Sequence, residues 1–116
     1  MVNEAYTRIA EEIGKKDYLC LFAIYKMDEV TDRWSLLFGY KDSIGSKEKD
    51  SLGKVVYDIV AKNLDKEEMQ NVARVGIFDS SYHLISESLK YETGTFIQDK
   101  KVNGSFVHEG HILLSR

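Results

Sequence analysis

The sequence predicts an α+β fold: a two-layer α/β sandwich of about five mainly antiparallel strands with helices on one face, in the order α-β-β-α-β-α-β-β. Three observations predict it. Apolar residues recur at intervals of three and four in two segments, as on one side of a helix. Elsewhere they form short runs rich in aromatic and branched side chains, as in strands. An Asn-Gly pair separates the last two of those runs, the sequence of a tight hairpin turn.

Residues 4–14 form the first predicted helix. Ala5, Tyr6, Ile9, Ala10 and Ile13 make one apolar stripe, Asn3 suits the cap and Gly14 the end. A helix this short needs a surface to lie on. Residues 18–26, YLCLFAIYK, are apolar on both alternations, so both sides of this strand are at least partly covered. The polar stretch MDEVTDR reads as a loop. After it, residues 34–40 form a strand with Trp34, Leu36, Phe38 and Tyr40 on one side and Ser35, Leu37 and Gly39 on the other. The two strands are expected to pair as an antiparallel hairpin.

Residues 47–64 carry the clearest helical stripe, from Leu52 through Val56, Ile59 and Val60 to Leu64, with Ser46 as cap. Asp65 followed three residues later by Glu68 is a capping box for one further helical turn. Residues 72–78 read as a strand, and 79–91 as a short helix with Tyr82, Ile85 and Leu89 on one side. Residues 94–99 and 105–114 are the last strands. If Asn103 and Gly104 are the whole turn, Asp99 faces His108, Gln98 faces Glu109 and Phe96 faces His111. One parallel pair across a helical crossover fits this order of elements.

The 116 residues make one domain, 1–116, large enough for a core without staples. Sixteen basic residues against 19 acidic ones, interspersed, give a net charge of −3, opposite to the basic excess that phosphate binding calls for. The one cysteine, Cys20, lies among apolar residues and is expected to be a buried hydrophobe. The first residues lack the apolar core of a signal peptide, and YLCLFAIY is too short to cross a bilayer. A cytoplasmic protein without membrane contact is expected.

The ending VHEGH resembles a zinc-protease signature short of one residue. That signature works on a helix, where both histidines reach one ion. On a strand, His108 and His111 point to opposite sides, with Cα atoms roughly 10 Å apart. Only a bulge at Gly110 would bring them together. No metal and no cofactor is therefore expected. The pair Asp99–His108, on one side with Ile97, Phe106, Ile112 and Leu114, reads first as a structural contact worth up to about 1 kcal/mol. Its sharper reading is a carboxylate orienting a general base, with His111 or His83 nearby, but no nucleophile accompanies it and no catalytic residue is assigned. GSKEKDSLGK lacks the spacing and the hydroxyl of a phosphate loop, which leaves only the free N–H groups after SIGS as an anion-binding idea. Asp28, Glu29 and Asp32 lack the ligand series of a calcium loop.

A two-layer sandwich leaves one sheet face without helices. In residues 18–26 that face still carries apolar side chains: Leu19, Leu21, Ala23 and Tyr25 oppose Cys20, Phe22 and Ile24. An exposed face this apolar binds something. The expected function is thus non-enzymatic association, with a second copy or another protein, through that face. The alternatives are a small enzyme at His108 and Asp99, or a single-stranded nucleic-acid platform of Phe22, Trp34, Phe38 and Tyr40 flanked by Lys26, Arg33 and Lys41.

Overall fold

The first helix begins at the expected cap. In the computed structural model, which describes residues 3–27 and 30–116, the Asn3 side chain accepts the Ala5 N–H at 2.8 Å and α1 runs Glu4–Gly14. Next come β1 (Leu19–Met27), β2 (Val30–Tyr40), α2 (Ser46–Asn63), α3 (Lys66–Met69), β3 (Val72–Asp79), α4 (His83–Ser88), β4 (Phe96–Val102) and β5 (Ser105–Ser115). The capping box of Asp65 and Glu68 opens α3, with both reciprocal bonds made. Gly45, not Ser46, occupies the cap position of α2.

The strands form one sheet in the order β3-β2-β1-β5-β4. It is mixed, not mainly antiparallel. β1 pairs antiparallel with β2 and β5, as does β4 with β5, whereas β2 and β3 are parallel. The α2–α3 crossover explains this, because a long connection returns the chain to the same end of the sheet. The loop expected at 27–33 is shorter than predicted: β2 begins at Val30, and Asp28 and Glu29 lie outside the described residues. The final hairpin keeps the expected register, with Phe96 opposite His111 and Gln98 opposite Glu109. Asn103 and Gly104 take positive φ of 49° and 78°, the left-handed pair that a two-residue turn demands.

The main departure from expectation concerns the helices, which cover both faces. On the first face, Phe22, Ile24, Leu36 and Phe38 pack beneath the stripes of α1 and α2, led by Ile9, Ile13, Val56 and Val60. On the second, Leu21, Ala23, Tyr25 and Leu37 pack under Ile85 of α4 and against Ile97, Val102, Val107 and Ile112 of the last hairpin. The face expected to stand open is therefore closed over β1. α4 is shorter than predicted because Asp79, Ser80 and Ser81 form a turn: the Asp79 carboxylate accepts the Ser81 N–H and hydroxyl.

Two strand glycines let α4 and Tyr25 settle. A β-carbon on Gly39 would lie 2.7 Å from Ile85 Cγ2 and 3.0 Å from Leu21 Cβ. One on Gly110 would lie 2.7 Å from Tyr25 Cδ1 and 3.1 Å from Val107 Cγ1. Ser88 donates to the Leu84 carbonyl at 2.7 Å, so the Tyr25 hydroxyl, 2.6 Å away, donates to Ser88 Oγ. That chain of bonds pins α4 to the sheet centre. Gly110→Ala is expected to lower stability by about 1–3 kcal/mol, because the buried Tyr25 ring has to move. Urea denaturation checks it, and an unchanged midpoint contradicts the packing described.

Bulges set the remaining side chains. Lys26 and Met27 pair with Glu109 and Val107, leaving His108 as the extra residue, and Phe22 and Ala23 pair with Leu114 and Ile112, leaving Leu113. Each extra residue reverses the alternation. Val107 therefore joins Ile97 and Ile112 on the second face, and Leu114 moves to the first, against the expectation that grouped it with Ile112. Among the described residues, no helix is long and apolar enough to cross a membrane.

Candidate functional site

The second face is closed over β1 but hollow toward β3. There β2 and β3 run in register, Ser35 beside Arg74, Leu37 beside Gly76 and Gly39 beside Phe78. α4 starts above this end of the sheet, and the β4–β5 turn curls toward it from the other side. The result is a groove of about 380 Å³, at the small end of ligand-sized sites. Leu37 and Gly76 contribute to its floor, while Met27, Phe78, Tyr82, Leu84 and Phe106 supply apolar walls.

Gly76 matters to this shape. A β-carbon there would lie 2.7 Å from Phe78 Cε2, so the Phe78 ring leans back over it. Tyr82 stacks on Phe78 with centroids 4.4 Å apart and planes 18° from parallel, yet remains 46% exposed. At the far end, Arg74 Nε donates to Ser35 Oγ at 3.1 Å, which fixes the guanidinium at the groove's mouth. Beside Tyr82, the Ser81 hydroxyl and N–H hold the Asp79 carboxyl below the usual carboxylate range.

The residues singled out by sequence lie elsewhere. Asp99 Oδ1 and His108 Nδ1 are 4.0 Å apart, neighbours beyond hydrogen-bond distance, and their side chains are 65% and 40% exposed. His108 packs edge-on against Phe106 at 4.6 Å, and neither it nor Asp99 lines the groove. His111 goes to the other face, near Trp34 and Phe96 at 5.7 and 5.0 Å, with Nε2 3.2 Å from Glu109 Oε2. Residues 105–115 are extended, so the two imidazoles serve different neighbours. His83 opens α4 and is exposed.

The aromatics expected to form a nucleic-acid platform do not make an open face. Phe22 and Phe38 stack at 4.7 Å, fully buried under the helices. Trp34 is half-buried beneath Lys26, whose ammonium lies 4.6 Å from the ring centroid and 3.9 Å from Glu109. At the N-terminus of α2 the Glu48 carboxylate folds back toward Gly45, where a β-carbon would lie 2.6 Å from Glu48 Oε2. Cys20 is buried, and burial pushes its thiol pKa up, away from reactivity.

The groove draws on β1, β2, β3, α4, β5 and the β4–β5 turn, so no local sequence pattern announced it. Gly39 and Gly76 were the available signals, because glycine inside a strand marks a close approach. No family model, curated protein or solved structure matches this chain.

Proposed function

We propose that the chain is a non-enzymatic association domain, and that a protein partner seats in the groove at the β3 side of the second face. One observation carries this reading: Tyr82 stacks on Phe78 and still presents nearly half its surface to solvent. Half-exposed aromatics beside a groove are the usual anchors of protein interfaces. The lining supplies apolar area, hydroxyls and one guanidinium, which suits holding a partner. On sequence alone the contact spreads over the whole second face; because α4 packs over β1, the proposed contact is limited to the β3 side.

Tyr82→Ser tests this. Its effect on stability is expected to stay within about 1.5 kcal/mol, the worth of one aromatic stack. Association is expected to weaken at least tenfold, about 1.4 kcal/mol, in sedimentation of the chain alone or in capture of a second protein. Equal association by wild type and variant contradicts the reading. So does a wild-type chain that stays monomeric at high concentration and retains no protein.

A further inference from the structure

We propose that the partner is a second copy of this chain, joined edge to edge through β3 in an antiparallel pairing about a two-fold axis at Gly76. This rests on the reading that the chain acts by association, names a partner, and moves the contact from the groove itself to the β3 edge that borders it.

The two edges of the sheet are built differently. β4 is guarded: Asp99, Lys100 and Lys101 are exposed, and Asp99 takes a left-handed φ of 50° that interrupts the ladder. Charges and local irregularity are how edge strands refuse a neighbour. β3 has no such guard over its middle. From Arg74 to Asp79 its pairing with β2 is unbroken, and between those two residues there is no charge. Its outward N–H and C=O groups form a template for another strand.

The side chains select the second strand. A two-fold axis normal to the sheet keeps both second faces on one side, so residues opposite each other share parity. With Gly76 on the axis, Val75 lies opposite the partner's Ile77, and Arg74 opposite the partner's Phe78. Val75 and Ile77 are half-buried on the first face, so this pairing covers apolar area that one copy leaves open. Arg74, which leans inward to Ser35, thus faces an uncharged partner residue rather than its own copy. Moving the axis to Val75 brings the two Arg74 side chains to a diagonal about 7–8 Å apart, like charge near like. Moving it to Ile77 sets Asp79 against Val75. Gly76 is therefore the position that keeps the two guanidiniums apart and sets Val75 against Ile77, with Asp79 opposite only the small Ala73. The two grooves then open on the same side of one continuous sheet.

The test is sedimentation of the intact chain over a wide concentration range, with backbone hydrogen exchange at both extremes. The expected result is a dimer whose β3 amides slow at high concentration while those of β4 do not. Arg74→Asp, checked for its fold by circular dichroism, is expected to weaken the dimer at least tenfold, and Lys100→Asp on the other edge to leave it unchanged. A dimer whose β3 exchange ignores concentration overturns the edge pairing but leaves the association reading standing. A strict monomer also overturns the pairing, and the reading then stands or falls on Tyr82→Ser against a second protein.

Discussion

Ile85→Ala is expected to lower stability by about 2–5 kcal/mol and to release α4 from the sheet. Ile85 is fully buried, and its Cγ2 fills the space left by Gly39. Removing a buried branched side chain costs its transfer free energy and leaves a cavity. A helix of six residues has little stability of its own, so loss of the anchor frees the whole turn. Leu21, Ala23 and Leu37 then lose their cover, and the second face becomes the exposed apolar surface that the sequence alone suggested. A lower urea midpoint with new binding of a hydrophobic dye is the expected outcome. An unchanged midpoint means that α4 does not close the face.

Alkaline pH is expected to produce the second large loss. Burial pushes the Tyr6 and Tyr25 phenols up to about 12, and Glu68 adds to the effect at Tyr6. Unfolded tyrosine titrates near about 10. Below that pH both phenols are neutral in both states, and stability does not depend on them. From about 10 to 12 the unfolded chain releases protons that the folded chain keeps, so stability falls as pH rises. Each phenol accounts for roughly 2 kcal/mol by about pH 12. Urea titrations at stepped alkaline pH check the slope, and Tyr25→Phe is expected to remove about half of this two-phenol contribution. A flat stability across that window contradicts the burial of both rings.

Local chemistry was legible in the sequence where one short segment carried it. The Asn3 cap, the stripe of α2, the box of Asp65 and Glu68 and the register of the last hairpin depend on residues close along the chain. Placement was not legible. α4 is too short for its stripe to name the face it covers, and the one parallel pair across a crossover was legible as such, but not that it joins β2 to β3. The bulges at His108 and Leu113 each turn the side-chain alternation over, which no reading of strict period two foresees. For the same reason the histidines drew attention that the structure gives to Phe78, Tyr82 and Gly76. Their importance comes from three-dimensional neighbours rather than from spacing.

Isotope-filtered NMR on a mixture of labelled and unlabelled chains asks most directly whether the β3 side is where copies meet. Intermolecular contacts between Val75 and Ile77, and between Phe78 and the Arg74 side chain, are the result expected. Intermolecular contacts confined to α1, α2 or the β4 edge, or none at any concentration, would contradict it.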